Sequence, residues 1–202
     1  MLNGRFHPTK ETLIRTVLEL LQTQSVDEIN SDEVLEKSGI SKGSMYHHFV
    51  DFSDLLEHAQ VARFAGYVDR SIDSIAELLV IKDKEQFLEG LRGVTKFTQS
   101  AALKEQRLHR VTAISRAGVS ERMRENLGAE QSRLTAALAD LFRECVNRGW
   151  ANPKVKPETL AVFIQAYTLG NIVNDYVDEQ MDLNNWLWLI DTIMNDVLFK
   201  VE

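Results

Sequence analysis

Residues 41–48, Ser-Lys-Gly-Ser-Met-Tyr-His-His, gather polar chemistry into one short segment. Two hydroxyls, an ammonium, a phenol and two imidazoles are side chains that contact phosphate oxygens and base edges. Gly43 keeps the backbone slim, so that main-chain N–H groups can approach an anion. His47 and His48 do not suggest a metal site, because adjacent side chains on a helix point about 100° apart and do not converge on one ion. Elsewhere no nucleophile stands beside a base. Cys145, the only cysteine, lies between Phe142 and Val146 on an amphipathic stretch and reads as a small core residue. His109-Arg110 suits either an acidic ligand or a solvated helix face. Neither a glycine-rich phosphate loop nor a metal-ligand spacing occurs, so no enzyme, metal or cofactor is expected.

The flanking residues supply a scaffold for this segment. Asn30 is a good N-cap for a short helix, and Glu33 three residues later completes a box-like pattern. Gly39 ends that helix in a left-handed conformation that only glycine adopts cheaply. Ser41 caps the next helix, which runs to about Phe49. Val34, Ile40, Met45 and Phe49 can bury together and lock the crossing angle, leaving the outer face of residues 41–48 exposed. The expected unit is two short helices joined by a tight turn at Gly39, Ile40 and Ser41.

The whole chain reads as all-α. Its three prolines are Pro8, Pro153 and Pro157, so nothing between them forbids long helices. Helical spacings recur and alternating strand patterns are absent. The first helix is expected over residues 9–24, with Leu13, Val17, Leu20 and Leu21 on one face. A fourth follows from Asp51 or Ser53 to Val80. Asp83 caps another to Thr98, and a further one covers about residues 103–116. Ser120 caps a long helix to Arg148, stopped by Gly149. After a turn-rich link over residues 150–156, Pro157 starts a helix to about Glu179, and the last runs over about residues 183–200.

The chain has 202 residues, 44% hydrophobic and 26% charged, enough for one large domain or a small one joined to a larger one. One cysteine excludes an internal disulfide and fits a reducing, cytosolic setting. No apolar run approaches the roughly 20 residues needed to span a bilayer, and residues 1–10 lack an apolar leader core. A cytoplasmic protein without a membrane partner is expected.

The run Ile-Ser-Lys-Gly-Ser-Met-Tyr-His-His-Phe49, followed by Leu55-Leu56, resembles the signature of the TetR family of bacterial transcriptional regulators. The resemblance is specific over roughly residues 9–58. It implies a helix-turn-helix DNA-binding domain over residues 1–56 and a larger antiparallel helical ligand-binding and dimerisation domain over residues 57–202. Residue by residue, it implies DNA contact by Ser41, Lys42, Gly43, Ser44, Tyr46, His47 and His48. Ser41 and Tyr46 fall at phosphate-binding positions, and Lys42, Ser44 and His47 at base-reading ones. Two positions depart: Phe52 stands where the family usually has a phosphate-binding Lys, and Leu35 where it usually has Ala.

Net charge is −7. Residues 1–60 carry five Lys or Arg against ten Asp or Glu, and residues 61–202 carry eighteen against twenty. The acids avoid the reading segment, since residues 37–50 hold two lysines and no carboxylate. Local charge governs contact with DNA more than the total does.

The last two large helices carry apolar side chains around more of their circumference than one burial face requires. Together with the resemblance, this implies a homodimer through Phe163, Tyr167, Gly170, Asn174, Trp186, Leu189, Ile193 and Val197. The resemblance also implies a small-molecule effector among the middle helices. Candidates to line its pocket are Phe87, Phe97, Met123, Phe163 and Tyr167, with His109 and Asn171 as polar anchors. The expected function is a regulator, most simply a repressor, released from a palindromic operator by the effector. The rival reading is a helical small-molecule-binding protein with lost or weak DNA binding, for which the acidic N-terminal part and Phe52 give the motive.

Overall fold

The computed structural model describes residues 7–200. The expectation of no leader in residues 1–10 therefore rests mostly on residues outside this range. Among the described residues there is no strand. The helices are α1 (Pro8–Leu20), α2 (Ser31–Ser38), α3 (Lys42–His48), α4 (Phe52–Leu79), α5 (Lys84–Gln99), α6 (Lys104–Ala117), α7 (Glu121–Asn147), α8 (Pro157–Gly170), the single turn α9 (Ile172–Asp175) and α10 (Leu183–Ile193). A 3-10 turn (Ala101–Leu103) precedes α6, and a π turn (Met194–Leu198) follows α10. No described helix is long and apolar enough to cross a membrane.

Two compact units emerge. One takes the described residues of Met1–Tyr67 together with Ala113–Glu130, and the other those of Val68–Thr112 and Gln131–Glu202. Both this boundary after Tyr67 and the expected division after residue 56 fall within α4.

In the first unit, Leu13, Ile14, Val17 and Leu20 of α1 form one core with Val34, Met45, Phe49, Leu55 and Ala59. α1 stops at Leu20, short of the expected Gln24. The Leu21 carbonyl accepts from Arg63 Nη1 at 3.1 Å, and its would-be helical partner, the Ser25 N–H, donates instead to Glu28 Oε2 at 2.7 Å. Asn30 Oδ1 accepts from the Glu33 N–H at 3.0 Å, as a cap should. The reciprocal half of the box does not form among the described residues; Glu33 Oε1 accepts instead from Gln24 Nε2 at 2.9 Å. Gly39 has φ +67°, and its N–H closes onto the Leu35 carbonyl at 3.0 Å. A Cβ there would meet nothing within 4 Å, so the backbone conformation, not space, calls for glycine.

In the second unit, Phe87 packs against Trp150 and Phe199, and Phe199 against Phe142. Arg148 donates to the Leu79 and Ile81 carbonyls at 2.9 and 2.6 Å, satisfying orphan acceptors at the end of α4. Arg107 and Asp175, both buried, form a two-pronged ion pair with both contacts at 2.6 Å. Arg107 Nη1 also donates to the Thr98 and Ser100 carbonyls at 3.1 Å. Beside it, Asn171 Nδ2 donates to the Gln99 carbonyl at 3.2 Å, and α8 ends at Gly170 rather than near Glu179. α10 likewise gives way to the π turn, which closes with the Phe199 N–H on the Met194 carbonyl at 2.8 Å. Cys145 is buried, and burial pushes its thiol pKa up to about 12.

Candidate nucleic-acid interface

α3 is seven residues long, too short to persist alone. Ser41 Oγ caps it by accepting from the Ser44 N–H at 3.2 Å, and Met45 and Phe49 anchor it in the first unit's core. Anchoring one side exposes the other. Ser41, Lys42, Gly43, Tyr46 and His47 are exposed, while Ser44 and His48 are half-buried. Lys42 makes no ion pair among the described residues, so its charge is available to an anion. Lys37, by contrast, lies 3.6 Å from Glu19 Oε2, so of the two lysines in residues 37–50 only Lys42 is without an ion pair among the described residues. Nothing lies within 4 Å of a Cβ built on Gly43, so the surface there is open.

His48 faces inward along the surface rather than straight out. Its ring stacks on His7 at a centroid distance of 4.8 Å and meets His47 edge-on at 5.2 Å. Burial first, then the neighbouring His7, His47 and Lys10, hold its imidazole below the usual histidine range. Phe52 is half-buried against the first unit's core, so it anchors the start of α4.

A support that sequence patterning did not identify lies behind α3. Asp54 Oδ2 accepts from the Val50 N–H at 3.0 Å, fixing the corner after α3. Arg122 Nε sits 3.1 Å from Asp54 Oδ1 and 2.7 Å from Glu57 Oε2. Lys10 Nζ lies 3.0 Å from His58 Nε2. An ammonium only donates, so Nε2 accepts and the ring proton sits on Nδ1, which donates to the Asp54 carbonyl at 2.9 Å. The i,i+4 spacing of Asp54 and His58 was visible in sequence; their partners on α1 and α7 were not.

The other expected residues scatter. Phe87 is enclosed in the aromatic core, Phe97 is 62% exposed, and Met123 is buried in the first unit. His109 is half-buried on α6. Phe163 and Tyr167 meet edge to face at 5.5 Å. Burial raises the Tyr167 phenol above its usual range, with Thr95 and Thr168 hydrogen bonds opposing. Asn171 is buried, and among the described residues its Oδ1 lacks a hydrogen-bond partner, as does Nε2 of buried Gln99. Of the expected interface set, Phe163, Gly170, Leu189 and Val197 are exposed and Ile193 half-buried. Trp186 turns inward, donating from Nε1 to Gln99 Oε1 at 2.8 Å, and Asn174 Oδ1 accepts from the Met181 N–H at 2.8 Å. Val162, Val173, Tyr176 and Trp188 are exposed apolar residues beyond that set.

No protein-family model matches the chain, and no curated protein matches it in sequence. Solved structures do match in fold. The reduced form of E. coli NemR superposes with a TM-score of 0.67 at 19% identity, covering 97% of this chain and 100% of that one. Salmonella enterica GusR gives 0.68 at 17% identity, covering 98% and 99%. A structure described as a TetR-family transcriptional regulator from Mesorhizobium loti gives 0.69 at 15% identity, covering 93% and 94%. The chain therefore has the TetR-type all-α fold, with an N-terminal helix-turn-helix and a helical C-terminal part.

Proposed function

We propose that the chain is a TetR-family transcriptional regulator of the bacterial cytoplasm, acting as a repressor. In this reading a homodimer places two α3 helices in the major groove of a palindromic operator, with half-sites about one DNA turn, roughly 34 Å, apart. Phe163, Leu189 and Val197 are the exposed apolar residues that support an isologous interface on α8 and beyond. An effector in the second unit, met by Asn171 and His109, favours a spacing of the two α3 helices that misfits the operator. The unpartnered, buried Asn171 Oδ1 supports a polar ligand there. The effector's leverage equals its differential affinity for the two states.

The observation carrying this reading is the two-sided character of α3. Met45 and Phe49 lock one side into the core, while Lys42, Tyr46 and His47 stand exposed on the other with no carboxylate in the segment. The test is competition between DNA upstream of the chain's own gene and random DNA across a salt series. The expected result is preference for one upstream fragment, with affinity falling steeply as salt rises. Equal binding of all fragments at low salt overturns the proposal.

A further inference from the structure

α5 and α10 leave a groove of about 280 Å³ between them, wholly within the second unit. Its floor is aliphatic: Leu88 and Leu91 from α5, Leu187 and Ile190 from α10, and Met194 from the π turn. That volume lies at the lower edge of the roughly 300–1,000 Å³ typical of small-molecule sites, so the occupant must be small. The indole of Trp188, 64% exposed, forms part of the wall.

The polar groups of the lining are unequally committed. Arg92 Nε is 2.7 Å from Asp191 Oδ1, and Arg92 Nη1 is 3.7 Å from Glu89 Oε2. Asn195 Nδ2 donates to Asp191 Oδ2 at 3.0 Å. Asp191, the groove's own carboxylate, is thus neutralised. The Lys96 side chain also lines the groove, and its ammonium makes no ion pair or hydrogen bond among the described residues. An apolar floor with one uncommitted cation at its rim is complementary to an amphipathic anion. The groove edge of α10, at Leu187, Asp191 and Met194, differs from the edge bearing Leu189, Ile193 and Val197, because successive residues turn by about 100°.

We propose that this groove binds a small amphipathic carboxylate, its hydrocarbon tail on the five aliphatic side chains and its carboxylate on Lys96 Nζ. The inference does not depend on DNA binding. It is tested on the full chain alone, with octanoate as the probe, by calorimetric titration and by methyl NMR. Saturable binding is expected, with methyl shifts centred on Leu88, Leu91, Leu187, Ile190 and Met194. Lys96→Met, at an exposed position that leaves the fold intact, should weaken octanoate roughly fivefold, as expected for one solvent-screened charge contact. Absence of saturable binding, unchanged affinity in Lys96→Met, or shifts centred elsewhere would each overturn it. Because no DNA is present, failure here leaves the reading of α3 untouched, and failure of operator binding leaves this site untouched.

Discussion

The imidazole of His48, in the last turn of α3, stacks on that of His7, which caps α1 through Nδ1 and the Thr9 N–H at 3.3 Å. The folded state depresses the His48 pKa, chiefly by burial. Its neutral form is therefore favoured by folding. That stabilising contribution is complete above the unfolded-state histidine pKa of about 6.5 and is lost as pH falls from there through the lower folded value. Amide protection factors across Met45, Tyr46 and His47 should drop on acidification from pH about 7.5 to about 5.5, a window that brackets the unfolded pKa. His48→Gln should flatten that drop. An equal drop in the variant would assign the effect to other groups.

Gly39 and Gly43 should behave oppositely. Gly39→Ala forces a side chain into φ +67° and should cost about 1–2 kcal/mol in urea unfolding. Gly43 lies within helix α3 with open space around it, so Gly43→Ala should leave stability unchanged or raise it by about 0.5–1 kcal/mol. In the proposed DNA complex its cost should show only in affinity, where the added methyl would stand between backbone N–H groups and phosphate.

Tyr46 and His47 neighbour each other but serve different parts of the duplex in the proposed complex. Tyr46→Phe removes a phosphate contact and should weaken all sequences alike. His47→Ala should relax preference at particular bases, by about 1–3 kcal/mol of discrimination per base pair. Specificity profiles measured on a randomised operator would separate them, and identical profiles would refute the division of roles.

Arg107 and Asp175 stabilise the second unit only as a pair. Asp175→Ala leaves a buried guanidinium uncompensated and should cost about 3–5 kcal/mol. The Arg107→Met, Asp175→Leu double variant should be far less damaged, because replacing both charges removes their desolvation cost. Chemical denaturation of the three proteins tests this directly.

Leu189→Glu places a charge on an exposed apolar position of α10. Folding should be unaffected, since the side chain already meets solvent. For the proposed dimer, sedimentation should show a shift to monomer, together with lost affinity for the proposed operator. A variant that stays dimeric would move the interface elsewhere.

The legible parts of the sequence were those governed by local chemistry. Asn30, Ser41 and Asp83 cap the helices they precede, and Gly39 and Gly149 adopt the left-handed conformation that stops the helices before them. Each depends on neighbours within a few positions. The illegible parts depend on partners far along the chain. The buried carboxylate of Asp175 is paired by Arg107, 68 positions earlier. The inward turn of Trp186 is set by Gln99, 87 positions away. Periodicity located apolar residues on α8 and α10 but did not say which of them meet the core, because that depends on which neighbour packs against each face. The exposed polar face of α3 was legible in composition, whereas the bond from Val50 to Asp54 that braces it required the fold.

The burial of Cys145 reaches beyond packing. With its thiol held near 12, almost none is thiolate at neutral pH, and the thiolate is the reactive form. The chain has no other cysteine. At neutral pH Cys145 therefore presents little reactive thiolate to oxidants and electrophiles. Purification without reductant should leave its behaviour unchanged.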